Sequence, residues 1–157
     1  MPCLQQLIRV YEYFGASVLA LMEVPKDQIG SYGVVDAEPA ELNGGNGDGR
    51  LFRIRSLVEK PKPQDAPSNL AIVGRYILTP EIFDSLETTQ PGSGGEIQLT
   101  DGLKRLLASR PIYGYRFEGK RHDAGDKLGF LKATVEFALD REDLGASFRA
   151  YLKALTV

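Results

Sequence analysis

The chain is poor in the residues that most often carry catalysis or cross-linking. Its 157 residues include one cysteine and one histidine. A single cysteine, Cys3, excludes an internal disulfide and a Cys-based zinc site; it reads as a small hydrophobe. The lone histidine, His122, has no nucleophile–base constellation around it in the sequence, and beside Asp123 it reads as a structural or rim residue. No apolar run approaches the length of a membrane span and no signal-peptide pattern opens the chain, so no membrane partner is expected. Excess charge of either sign is also missing: 19 Lys and Arg face 21 Asp and Glu, a formal net charge of −2. That balance gives no electrostatic reason to expect nucleic acid as a partner. A reducing, cytoplasmic setting fits these absences.

What remains is an ordinary globular composition, 43% hydrophobic and 25% charged. A chain of this length suits one domain, 1–157, burying on the order of 70% of its unfolded surface. Leu4, Leu7, Ile8, Tyr11 and Phe14 fall at helical spacing before Gly15, a natural stop. Residues 17–24 form a short apolar run that suits a buried strand. Helix followed by buried strand is the rhythm of an α/β sheet. A second strand is expected over 31–36. The Asn- and Gly-rich stretch 43–49 carries hairpin-turn signals and no Gly-Lys-Ser/Thr, so it reads as a hairpin tip. Residues 60–69 read as a proline-rich loop, 71–78 as a strand, and Thr79-Pro80-Glu81 as a helix start with Thr79 as N-cap. Further helices are expected over 99–107 and from an Asp126 N-cap through Leu139, with a strand over 112–117 between them. The terminal stretch 142–157 reads as an amphipathic helix.

Val58-Glu59-Lys60-Pro61-Lys62-Pro63 places an acid and a base where the β-run 51–58 breaks at proline. Proline 61 biases Lys60 towards extended geometry. The pair then lies at a strand end, where α/β proteins usually place their ligands, with the two side chains alternating to different sides of one pocket. A carboxylate accepts hydrogen bonds from hydroxyls and an ammonium is a point charge for a phosphate. A polar cyclic compound bearing a phosphate suits the two. Taken alone, a Glu-Lys dipeptide is more often solvated surface charge.

The company of this motif changes its weight. Downstream come residues 69–80, Asn-Leu-Ala-Ile-Val-Gly-Arg-Tyr-Ile-Leu-Thr-Pro, then Gly94-Gly95-Glu96-Ile97-Gln98-Leu99-Thr100-Asp101. Residues 119–129, Gly-Lys-Arg-His-Asp-Ala-Gly-Asp-Lys-Leu-Gly, follow. In this order the segments, from about Pro2 to Leu139, resemble the bacterial UTP–glucose-1-phosphate uridylyltransferases, within the sugar-phosphate nucleotidyltransferase superfamily. The resemblance implies a Rossmann-like three-layer α/β/α fold with a mixed, mainly parallel sheet. It also implies uridylyl transfer from UTP to glucose 1-phosphate, giving UDP-glucose and pyrophosphate with Mg²⁺, by an enzyme that is a homo-oligomer when full length. The family's N-terminal glycine-rich nucleotide loop and aspartate pair have no counterpart in this sequence. The chain therefore resembles the C-terminal, sugar-phosphate-binding part, expected to have little activity alone. A sheet cut there is expected to leave open edges. Two alternatives stand beside this reading: a dTTP- or ATP-using pyrophosphorylase, and a non-catalytic regulatory or assembly relative.

Carried over by the resemblance, Lys60 is the catalytic lysine on the sugar phosphate and Glu59 the acceptor of glucose hydroxyls. Asp123 contributes to Mg²⁺, its alternative being a cap of the following helix. Gly33 lies against the sugar, or else serves only a turn or bulge. Gly74 and Tyr76 line the pocket. Glu96 lies near the site without a nameable role.

Overall fold

The computed structural model describes residues 1–42, 49–92 and 95–155. The chain divides into two compact units, Met1–Gly119 and Lys120–Val157, each considered by itself.

The first unit opens with α1 (Cys3–Phe14), which buries Leu7 and Val10 and ends at Gly15, φ 60°, whose N–H donates to the Tyr11 carbonyl. Glycine suits that left-handed cap because it has no Cβ to clash. β1 (Ser17–Glu23) follows, buried from Ser17 through Leu21. Its side chains alternate between two cores: Val18 and Ala20 meet Leu7 and Val10 of α1, while Leu19 and Leu21 meet Ile82, Leu103 and Leu106. Those three belong to α2 (Glu81–Glu87) and α3 (Leu99–Leu107). A strand covered on both faces reads as a continuous apolar run, and helices on both faces make the three layers expected.

The other strands are β2 (Gly33–Pro39), β3 (Leu51–Glu59), β4 (Leu70–Ile77) and β5 (Ile112–Arg116), with a 3₁₀ segment, Lys26–Ser31, leading into β2. The sheet is mixed, but the expectation of a mainly parallel one does not hold for the described strands. Only β1 and β5 pair parallel; β1–β4, β2–β3, β2–β4 and β3–β5 are antiparallel. Of the antiparallel pairs only β2–β3 joins consecutive strands, as a hairpin; β1–β4, β2–β4 and β3–β5 pair strands with other elements between them, so their direction follows from the order in which the ring is assembled and not from a local connection. The order β1-β4-β2-β3-β5 closes on itself, so each described strand has a neighbour on both sides and the open edges expected are not found among them. The hairpin tip expected over 43–49 lies, except for Gly49, outside the described residues.

Thr79 does not cap α2. Pro80 holds the cap position without a side-chain bond, and the Thr79 hydroxyl lies 3.3 Å from that of Ser17 on β1. Glu81 serves the helix start instead. Its own backbone N–H, then the Thr79 hydroxyl, hold its carboxyl below the ordinary range.

The second unit carries α4 (Lys127–Leu139) and α5 (Gly145–Ala154). Asp126 caps α4 as the sequence suggests, accepting the Gly129 N–H at 2.9 Å. A side chain at Gly129 would overlap the Asp123 carbonyl, so the turn before the helix folds back over its first turn. The terminal helix expected over 142–157 is α5.

Candidate functional site

Glu59 is the last residue of β3 and lies in register with Gly33, the first of β2. This pairing brings a half-buried carboxylate over a backbone that carries no side chain. A Cβ at Gly33 would come within 3.1 Å of Glu59 Oε2, 3.3 Å of Ile72 Cδ1 and 3.4 Å of Thr100 Oγ1. Gly33 is thus a close-approach position where β2, β3, β4 and α3 converge. Glu59 Oε2 accepts a 2.5 Å hydrogen bond from Thr100 Oγ1. Thr100 lies in the segment 94–101 that the sequence singles out, but nothing local in that segment marks it as Glu59's partner.

Lys60 departs from the extended geometry expected before proline. Its φ is 43°, and among the described residues it is the one non-glycine with positive φ. Two anchors account for this. Its N–H donates to the Tyr32 carbonyl at 3.0 Å, one step past the β2–β3 ladder, and the chain then turns at once to bury Pro61. Simple strand alternation therefore does not set the direction of the Lys60 side chain. Its ammonium is exposed and makes no ion pair among the described residues. A non-glycine residue in this region costs about 1–3 kcal/mol, and such residues cluster at ligand sites.

Tyr76 lies on β4 opposite Leu19. Burial raises its phenol above the usual value, and the nearby Glu59 charge raises it further. It is therefore a neutral hydroxyl beside an acceptor. Gly74 has φ 73° and falls in an irregularity where Val73, Gly74 and Arg75 oppose Ala20 alone. Glycine there serves the bulge, and a Cβ would meet nothing within 4 Å. Gly33, Glu59, Tyr76 and Thr100 thus gather at one end of the sheet, with Lys60 next in the chain. Glu96 is exposed; its carbonyl accepts from Gly92 N–H within its own loop. A cavity of about 620 Å³, lined by Pro25, Lys26, Ile29, Pro63 and Gln64 among others, opens beside the loop that follows Lys60.

Asp123 belongs to the second unit. Its Oδ2 lies 3.0 Å from Arg121 Nη2 and its Oδ1 accepts Gly125 N–H at 3.0 Å. Among the described residues no three His, Cys, Asp or Glu side chains gather as a metal site. One exposed carboxylate already paired with a guanidinium does not hold a divalent cation by itself, so these residues do not fit a complete Mg²⁺ site. His122 lies 3.8 Å from Glu136 Oε2 and tilts against Phe137, consistent with a packing role. No helix among the described residues is long and apolar enough to cross a membrane.

A UTP–glucose-1-phosphate uridylyltransferase of Staphylococcus epidermidis is 47% identical over 99% of this chain and 52% of its own length. That of Staphylococcus haemolyticus is 47% identical over 98% of this chain and 51% of its own. Among solved structures, a UDP-glucose pyrophosphorylase complexed with UDP-glucose superposes with a TM-score of 0.77 at 39% identity, over 88% of this chain and 50% of that one. A UTP-bound enzyme of the same kind from Acinetobacter baumannii gives 0.79 at 35%, over 98% and 50%. The chain spans about half the length of the curated relatives it matches. The fold is that of these nucleotidyltransferases, a mixed sheet with helices on both faces. The family model described as nucleotidyl transferase matches residues 3–140, and the chain belongs to that family.

Proposed function

We propose that this chain supplies the sugar-phosphate contacts for uridylyl transfer from UTP to glucose 1-phosphate. The observation that carries the reading is an anchored acceptor, Glu59, over the bare backbone of Gly33, followed in the chain by Lys60, an exposed cation with no ion pair among the described residues. Glu59 Oε1 accepts no hydrogen bond among the described residues, which leaves it open to a sugar hydroxyl. Tyr76 adds a neutral hydroxyl, Gly33 admits a sugar ring close to the backbone, and Gly74 shapes β4 beside it. The exposed Lys60 ammonium suits the phosphate.

In this reaction an ionised phosphate oxygen of glucose 1-phosphate attacks the α-phosphorus of UTP. A new P–O bond forms as the bond to the bridging oxygen breaks, and pyrophosphate leaves with the bonding pair. The nucleophile is already ionised near neutral pH, so alignment and charge neutralisation matter more than a general base. A site with one acceptor carboxylate, one lysine and no histidine agrees with that need. Mg²⁺ and the part assigned to Asp123 in holding it enter only through the resemblance.

Calorimetric titration of the purified chain with glucose 1-phosphate tests the reading. Lys60→Ala and Glu59→Gln should each weaken binding about tenfold or more, as expected for hydrogen bonds to charged groups. Unchanged affinity in Lys60→Ala would remove the lysine from this role. Pyrophosphate release with UTP, dTTP and ATP in turn tests the nucleotide.

A further inference from the structure

We infer that Thr100 is a positioning residue for this sugar site, fixing Glu59 so that one carboxylate oxygen is anchored and the other is presented to the ligand. The inference rests on the proposed function for its ligand and on the geometry for its mechanism. Glu59 ends a strand immediately before the left-handed turn at Lys60, so its long side chain has no further strand to hold it. The hydroxyl of Thr100 supplies the hold, donating to Oε2 at 2.5 Å.

The donor itself sits on a firm base. Thr100 is the second residue of α3, and the same helix buries Leu103 and Leu106 against Ile54 and Leu57 of β3, the strand that carries Glu59. Donor and acceptor therefore ride on two elements locked to each other by the core. A threonine inside a helix commonly bonds the carbonyl four residues back; this one sits in the first turn and bonds across the fold instead. Its β-branched side chain has few rotamers, which fixes the hydroxyl direction. The pair also packs over Gly33, where a side chain would press on both partners. Hydrogen bonds to an ionised carboxylate are stronger than neutral ones, and losing this one frees the acceptor to rotate away from the sugar.

The test compares Thr100→Val, which keeps the shape and loses the hydroxyl, with Thr100→Ser, which keeps the hydroxyl. Titrated with glucose 1-phosphate, Thr100→Val should bind about tenfold more weakly and Thr100→Ser within about twofold of the parent. In a Glu59→Gln background Thr100→Val should add little further loss, because Thr100 acts through that carboxylate. Parent-like affinity in Thr100→Val, alongside weakened Glu59→Gln, overturns the positioning role and leaves the functional reading standing. Equal losses in Val and Ser, with a fall in melting temperature, overturn it in favour of plain packing. If the parent chain does not bind glucose 1-phosphate, the functional reading fails, and a crystal structure of Thr100→Val decides the mechanism. A Glu59 carboxylate displaced from its parent position supports the hold; one that stays in place overturns it.

Discussion

Lys60 joins a charge and a strained backbone in one residue, and two substitutions separate them. Lys60→Ala removes the ammonium but keeps the Cβ at φ 43°. Lys60→Gly removes both. Left-handed geometry costs an L-residue about 1–2 kcal/mol, while glycine's greater freedom in the unfolded chain takes back roughly 0.5–1 kcal/mol. The difference favours the glycine variant by about 1 kcal/mol over the alanine variant. For a chain of 157 residues that is about 2–4 °C in melting temperature. Urea denaturation of the two variants reads the difference directly, and glucose 1-phosphate titration reads the charge, which both have lost. The order expected is Gly more stable than Ala, with binding weakened alike. A glycine variant no more stable than the alanine variant would show that the turn at 60 carries no strain. The anchors at the Tyr32 carbonyl and buried Pro61 would then not be forcing the backbone.

Gly129→Ala should destabilise the second unit by about 1–3 kcal/mol, reversing the gain of about 1 kcal/mol that alanine brings to an ordinary helix, because its Cβ would overlap the Asp123 backbone carbonyl. Loss of α4 amide protection in hydrogen exchange checks it, and a stabilised variant would refute it. The Tyr76 phenol is raised first by burial and then by the Glu59 charge. Its contribution to stability is therefore full below the ordinary phenol value near 10 and is lost as pH rises through the raised folded value. Ultraviolet titration of the parent minus Tyr76→Phe should show this tyrosine ionising late, and earlier in Glu59→Gln; an unmoved midpoint counts against the proximity. Ile29→Ala should cost about 2–5 kcal/mol, since Ile29 is 2% exposed in the small core with Val24, Val34 and Ala71. Denaturant midpoints measure it, and a loss under 1 kcal/mol would mean the site collapses around the gap.

The sequence is legible where local chemistry decides. Five successive buried residues from Ser17 to Leu21 announce a strand covered on both faces, and Asp126 caps α4 because a carboxylate three residues before an amide is a short-range device. Glu59 at the end of β3 follows from the break at Pro61. Illegible features are those set by partners far along the chain. Thr79 is drawn from capping by Ser17, 62 residues away. Thr100 meets Glu59 across 41 residues. The turn at Lys60 overrides the pre-proline preference because Tyr32, on the neighbouring segment, takes its N–H. Strand direction is illegible for a similar reason: three of the four antiparallel pairs join strands that are not consecutive in the chain, and residue periodicity says nothing about that.

The closing of the sheet and the shape of the candidate site depend on the same short stretch of chain. The ring's thinnest seam is between β2 and β4, where a single pair, Val34 opposite Ala71, makes the ladder. Both side chains are fully buried, and Val24 and Ile29 pack against them, so apolar burial does there what hydrogen bonds do elsewhere in the ring. Ile29 belongs to the 3₁₀ segment that delivers Tyr32 and Gly33. Tyr32 offers the carbonyl that turns Lys60, and Gly33 is the bare backbone over which Glu59 and Thr100 meet. Loosening the seam is therefore expected to disturb the lysine and the carboxylate together. Residues 26–34 contribute both to the seam and to the backbone beside which the two charged residues are placed.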